Sequence, residues 1–491
     1  MGSKTEDVSS TTVHDEQKVA EAGSPMRKEF RRNFYIYAVF NFAALMLRFV
    51  NKLEQTFARS LIECETPVDP SALFTGSASC GDRLVVIGQG QTLSSQGQSM
   101  ECLFKVLAMV CLAILADVVG RKPVLVLGLV CTGASALCFL LATSTPAWLA
   151  FSLFAVGQGL QGAYPAELLS EIVATDIGNE KASDPVVVGQ VSFLLVMLSV
   201  LITECFGAWL NSSTSTDFRP TWTLVAMCNF ALAMVACAYM RETKPKFDVD
   251  RAQNGILAGV KDELLEYWKL LRTNTMLRLN LIMFSTLAAV MTGASIDISF
   301  YISYHNIPQT TAAMHWFWKF PIAVACFGFA EKICKDLGMK KGVVSICIGM
   351  IILDILFVPF YLTSPKVFML HQYVGLVVSG FPAIVRAIDA RWFDQRLTSK
   401  FLSMKNLIGY MVGIIMNPIY AASFDAHATG YFRRLAPYAL IFGFRLLHLL
   451  IFLGPIWHHP QGLPKVLERI EKERAEKEAQ GEAAKPDKKT D

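Results

Sequence analysis

Apolar runs of roughly membrane-crossing length recur along this chain, separated by short polar segments. A transmembrane helix needs about 20 mostly apolar residues. Twelve runs satisfy this, near 34–57, 99–117, 123–143, 147–173, 186–210, 221–240, 277–302, 312–331, 342–362, 367–388, 401–424 and 435–457. None shows the period-two alternation over about ten residues that a membrane β-barrel requires. The pattern predicts an all-α membrane protein of twelve transmembrane helices. It also predicts the organisation: a tail over 1–33, a six-helix bundle over 34–240, a linker over 241–276, a second six-helix bundle over 277–457 and a charged tail over 458–491. In the linker, Leu264, Leu265, Trp268 and Leu271 recur at helical spacing. This predicts an amphipathic helix that lies on the membrane surface or packs on the neighbouring loops. The final stretch, 465–491, mixes both charges without aromatics and reads as a solvated helix or a disordered segment.

Composition agrees. Of 491 residues, 53% are hydrophobic and 18% charged, against about 25% charged in soluble domains. The net charge of +4 gives no reason to expect a nucleic-acid partner. With the N-terminus inside, the five inner loops carry 17 Lys/Arg and the six outer loops 6. By the positive-inside rule both tails are then cytoplasmic; which membrane holds the protein is left open. Residues 1–33 are polar and lack the apolar core of a secretory signal. On this topology Cys64 and Cys80 share the first outer loop, a candidate disulfide, and Asn211 begins a glycosylation sequon in the third. No paired metal-ligand spacing occurs, so neither metal nor other cofactor is expected.

"LADVVGRKPVLVLG", residues 115–128, sets Asp117, Arg121 and Lys122 between the second and third runs. Anchoring to the inner surface accounts for Arg121 and Lys122 but not for Asp117, which is costly at a span end unless paired. Here the sequence resembles the major facilitator superfamily, whose loop between spans two and three reads roughly G-x-x-x-D-(R/K)-x-G-R-(R/K). Asp117, Gly120, Arg121 and Lys122 match; Ala113 and Val118 depart. "GQGLQGAYPAELLSEI" in the fourth run is similar to that family's glycine-rich fourth helix, with Glu171 placed like the closing acidic residue of the sugar-porter branch. "RETKP" at 241–245, containing Glu242, resembles the motif following the sixth helix there. "CKDLGMKKG" at 334–342 resembles a degenerate second copy of the first motif: it keeps Gly338 and Lys340, but Asp336 sits one position closer to the glycine.

The resemblance implies two six-helix bundles related by a pseudo-two-fold axis along the membrane normal. Substrate would bind between them, and rocking of the halves would alternate access. Asp117, Gly120, Arg121, Lys122, Glu171 and Glu242 would form the inner gating network; simple loop anchoring is the other reading. Family geometry points to spans one, four, seven and ten as cavity walls, and so to Arg48, Gln158, Gln161 and Asp297 as substrate contacts. Asp297 is equally placed to pair with Lys319. Glu167 and Glu204 are candidate proton carriers. Asp354 and Arg445 are expected to pair with neighbours, and His448 to be a packing histidine. The function implied is a secondary active transporter of a small organic solute, sugar or organic anion, with proton coupling, acting as a monomer in the bilayer. The alternative is a transporter-like receptor without flux, favoured by the degenerate second motif. No HExxH, GxSxG or P-loop motif supports an enzyme or an ATP-driven pump.

Overall fold

A computed structural model describes residues 83–138, 153, 156, 218–239, 256–307, 315, 318–319, 321–326, 328–378, 381, 384–385, 388, 392, 395–460, 462–470 and 472. Its described residues form helices and no strands. In chain order these are α1 (Arg83–Val119), α2 (Arg121–Cys138), α3 (Phe218–Tyr239), α4 (Ile256–Thr273), α5 (Thr275–Gly293), α6 (Asp297–His305), α7 (Phe329–Leu337), α8 (Met339–Phe357), α9 (Pro365–Gly375), α10 (Gln395–Ser423), α11 (Tyr431–Arg434) and α12 (Ala436–Ile451). Thr275–Ile296, Met339–Phe360 and Ala436–Ile456 are long and apolar enough to cross a membrane; Lys122–Cys138 and Ala226–Tyr239 are shorter apolar helices.

Local chemistry explains several boundaries. Asn274 caps α5, its side-chain oxygen accepting the Leu277 N–H at 2.9 Å, which satisfies one of the donors a helix start leaves open. Ser364 does the same for α9, with Pro365 in the first turn, where a missing N–H costs nothing. Residues Ile256–Thr273 form helix α4. Tyr267, Leu270 and Leu271 pack on Leu277, Leu281, Phe401 and Met404, while Leu264, Leu265 and Trp268 are exposed.

Two sequence expectations need correction. The second run was bounded at 99–117, yet α1 starts at Arg83 and has 37 residues. At 1.5 Å per residue it is about 55 Å long, well beyond the roughly 30 Å hydrocarbon layer. Its polar first half, "IGQGQTLSSQGQS", lacks an apolar stripe because the face it buries is itself polar: Gln91, Ser94 and Ser95 are buried. The charged tail is not wholly solvated either. Residues 463–470 are helical, and Leu463, Val466, Leu467 and Ile470 are buried.

The helices pack side by side in fixed register. α1 runs antiparallel to α10: a Cβ on Gly88 would lie 4.0 Å from Ala426, and one on Gly413 would lie 2.8 Å from Cys102 Sγ. α5 is antiparallel to α12, with Gly293 against Ile441 and Thr286 against His448. α2 is antiparallel to α3, Gly133 facing Phe230 and Ala226. Apolar residues gather at opposite ends. At one end Met276, Cys334, Val343, Trp392, Phe452 and Ile456 enclose the 463–470 segment. At the other, Ile87 of α1 joins Phe300, Tyr301, Tyr361, Phe368 and Tyr438. Ile87, with Leu84 packed against the same cluster, ties the two halves at this end.

Close helix approach makes specific glycines irreplaceable. A Cβ on Gly342 would sit 2.6 Å from the Cys334 Cα, whereas one on Gly349 meets nothing within 4 Å. Gly342→Ala is expected to lower stability by about 1–3 kcal/mol through overpacking. Gly349→Ala should stay neutral or gain up to about 1 kcal/mol in helix propensity. Thermal unfolding of the two purified variants checks the contrast.

Candidate functional site

Two one-residue turns at the same end of the bundle position the charged loops. Gly120 alone separates α1 from α2 at φ 107°, and Gly338 alone separates α7 from α8 at φ 77°. Positive φ is open to glycine at little steric cost, so each helix pair folds back within one residue. Two residues beyond each glycine stands a lysine with a matching task. Lys122 donates to the Cys237 carbonyl at 2.7 Å, in the last turn of α3, where carbonyls lack helical partners and a cation opposes the helix dipole. Lys340 pairs with Glu468 in the helix beyond α12. That pair is exposed, and the ammonium holds the Glu468 carboxyl below the usual carboxylate range. Its contribution is therefore present above that range and fades as falling pH protonates Glu468. The second motif, degenerate in its acidic residue, keeps both the backbone turn and the lysine of the first.

Deeper in the second half lies a network of ionisable side chains. Arg445 Nη1 on α12 donates to both carboxylate oxygens of Asp354 on α8, at 2.5 and 2.6 Å. His371 Nε2 on α9 stands 3.4 Å from Asp354 Oδ1, and its Nδ1 contacts the Tyr361 hydroxyl. The imidazole is stacked on Phe357 at 5.2 Å and 11°. Beside it, Tyr438 donates to Asp297 Oδ1 at 2.8 Å, and Tyr438 meets Tyr361 edge to face at 4.9 Å. Asp297, Asp354, Tyr361 and Tyr438 are all buried. A buried carboxylate needs charge and hydrogen bonds together; Arg445 supplies both to Asp354.

Asp297, weighed equally for pairing with Lys319 and for solute contact, has the Tyr438 phenol as its hydrogen-bond partner, and Lys319 donates to Gln372 Oε1 at 2.7 Å. Asp354 and Arg445 do pair with neighbours, namely each other. His448 is a packing residue: Nδ1 lies 3.2 Å from Thr286 Oγ1 and 3.1 Å from the Met283 carbonyl, with the ring stacked on Phe452.

Between the halves, Ser299 of α6 donates to Gln91 Oε1 of α1 at 2.5 Å, and Gln91 reaches Ser95 at 3.4 Å. The sequence reading missed this contact, as it missed Tyr361, His371 and Tyr438. Asp117 and Arg121 lie on the backbone either side of Gly120. Arg48, Cys64, Cys80, Gln158, Gln161, Glu167, Glu171, Glu204, Asn211 and Glu242 lie outside the described residues. No group of three or more His, Cys, Asp or Glu among the described residues is arranged to hold a metal ion.

These features are those of a polytopic helical membrane protein with repeated glycine turns. The Major Facilitator Superfamily model matches residues 92–418, and the chain belongs to that family. No curated protein sequence matches it. Among solved structures, the human organic anion transporter MFSD10 (TETRAN) is similar at 13% identity and TM-score 0.58, covering 86% of this chain and 99% of that one. The D-xylose-proton symporter aligns at 12% identity and TM-score 0.57, over 85% of this chain and 97% of its own. The nucleoside transporter NupG aligns at 13% identity and TM-score 0.56, over 85% and 98%. At such identities the likeness is one of fold.

The Asp354–Arg445 pair yields a directional expectation. Asp354→Asn or Arg445→Met alone strands a buried charge and should destabilise by about 3–5 kcal/mol, while the double variant returns toward the native value. Denaturant unfolding in lipid–detergent micelles measures the cycle.

Proposed function

We propose that this chain is a secondary active transporter that moves a small organic solute, a sugar or an organic anion, by alternating access with proton coupling. The observation that carries the reading is the paired glycine turn. Two halves that repeat the same one-residue reversal, each with a lysine two residues beyond the glycine that reaches another helix, suit movement against each other as similar bodies in a member of this family. The exposed Lys340–Glu468 pair and the Lys122 contact suit such movement: exposed ion pairs add little, enough to bias a two-state equilibrium without freezing it.

In this reading twelve spans form the two six-helix bundles, and both termini are cytoplasmic. The glycine turns face the cytoplasm with Asp117, Arg121, Glu171 and Glu242 as the gating network. Arg48, Gln158, Gln161 and Asp297 line the solute path, and Glu167 and Glu204 are carried forward as proton-handling candidates. Solved neighbours described as an organic anion transporter and a xylose–proton symporter favour those two solute classes. The receptor alternative drew on the degenerate second motif; the glycine turn and lysine kept there support the transporter reading.

Purified protein in sealed vesicles, given a mixed metabolite pool and an inward proton gradient, is read by mass spectrometry of the lumen. Selective accumulation of one solute class is expected, and Asp117→Asn should reduce it about tenfold or more by removing a gating charge. Entry no greater than in empty vesicles, together with ligands that still raise the melting temperature, would overturn transport in favour of the receptor.

A further inference from the structure

Helix α4 is apolar on two adjoining arcs, and only one of them is covered. Tyr267, Leu270 and Leu271 pack on Leu277, Leu281, Phe401 and Met404. Leu264, Leu265 and Trp268, on the next arc, are 45%, 54% and 59% exposed. Two leucines and a tryptophan left in water forgo the burial that drives apolar surface out of it. The helix carries three basic and three acidic residues, and they divide by face. At about 100° per residue, Lys261, Lys269 and Arg272 share an arc of roughly 140° with the three exposed apolar residues. All three cations are exposed. Asp262, Glu263 and Glu266 occupy the following arc, of roughly 100°.

The level of α4 in the membrane follows from its neighbours. Asn274 alone separates it from α5, whose span Thr275–Ile296 is long and apolar enough to cross a membrane. The last turn of α4 therefore lies where the chain enters the hydrocarbon. Met276, at the start of α5, joins Cys334 and Val343 near the Gly338 turn, which sets α4 at the end of the bundle that bears both glycine turns. At that level tryptophan lies among headgroups, and the Arg272 guanidinium stands 5.5 Å from the Trp268 ring centre. A guanidinium matches the paired oxygens of a phosphate, and lysines reach headgroups with their stems against apolar surface. A protein partner fits less well, since the core of a protein interface is depleted of lysine.

We infer that the exposed arc of α4 is a docking surface for a leaflet rich in anionic phospholipid. Leu264, Leu265 and Trp268 enter the acyl boundary, and Lys261, Lys269 and Arg272 hold the phosphates. The covered arc packs on α5 and α10, and α4 also touches α1 of the first half. The leaflet thus fixes a linker that meets both halves. The inference rests on the membrane-spanning fold and goes beyond the transporter reading, so failure of the uptake experiment above leaves it to its own test.

Phospholipids brominated on their acyl chains supply that test, because bromine quenches a tryptophan that it touches. The purified full chain is reconstituted in phosphatidylcholine vesicles that contain a minor share of brominated phosphatidylglycerol or, separately, of brominated phosphatidylcholine. The chain has 8 tryptophans, so the Trp268 signal is the difference between the native protein and Trp268→Phe. Both probes should quench it, with the anionic probe enriched about fivefold, the worth of one basic residue near an anionic surface. The excess should shrink as salt rises. It should vanish in the triple variant Lys261→Gln, Lys269→Gln, Arg272→Gln, in which brominated phosphatidylcholine still quenches. Arg272→Gln alone should lower the excess, and it serves should the triple variant not melt cooperatively. A Trp268 signal untouched by either probe means that a protein surface covers the arc, and overturns the docking. Equal quenching by the two probes, or an excess that survives the substitutions, overturns the recognition of anionic lipid.

Discussion

A charge placed inside an apolar helix bundle has to be answered by its neighbours, and the second half of this protein is arranged around one such answer. Asp354 is buried, and its two oxygens are taken by Arg445 from α12 and approached by His371 from α9. Fixing a carboxylate from two directions fixes the three helices that carry the groups. Once α8, α9 and α12 are in register, Tyr361 and Tyr438 meet edge to face, and Tyr438 reaches Asp297. The aromatic cluster is thus in part a consequence of the ion network, because its rings can interlock only where the polar atoms they carry find partners.

The two ends of the bundle hold together by different means. At the end bearing Gly120 and Gly338, contacts are turns, lysine contacts and an apolar cluster that takes in residues 463–470. At the other end, α1 meets α6 through buried Gln91 and Ser299, and Ile87 enters the aromatic cluster. Small polar residues along α1 permit close approach without locking it, since a hydroxyl–amide bond is worth only about 0.5–1.5 kcal/mol net.

Much of this was legible in the sequence, for identifiable reasons. Apolar runs of membrane length overlap α2, α3, α5, α8, α10 and α12, because burial in lipid writes directly into composition. Gly120 and Gly338 were marked by the motif, and only glycine suits their backbone. The start of α1 was not legible, because a helix whose buried face is Gln and Ser carries no hydrophobic period. The partner of Asp297 was not legible either: a lysine on the following run was one of two equal readings, but a tyrosine from a distant helix supplies the hydrogen bond. His371 was the quietest of these signals, a lone histidine in an apolar run, and only the third dimension shows it against Asp354 and Tyr361. The assignments at Arg48, Gln158, Gln161, Glu167 and Glu171 belong to segments outside the described residues and stand on the resemblance.

The central claim is that the two ends open in turn. Spin labels in a cysteine-depleted background measure it directly by electron double resonance. One pair goes at Tyr239 and Lys335, on first-half and second-half helices near the glycine turns. The other goes at Thr92 and Phe432, near the opposite end; all four side chains are exposed. The account predicts that acidification or added solute shifts the two distance distributions in opposite senses, one widening as the other narrows. Distributions that stay fixed at both ends, or widen together, would contradict it.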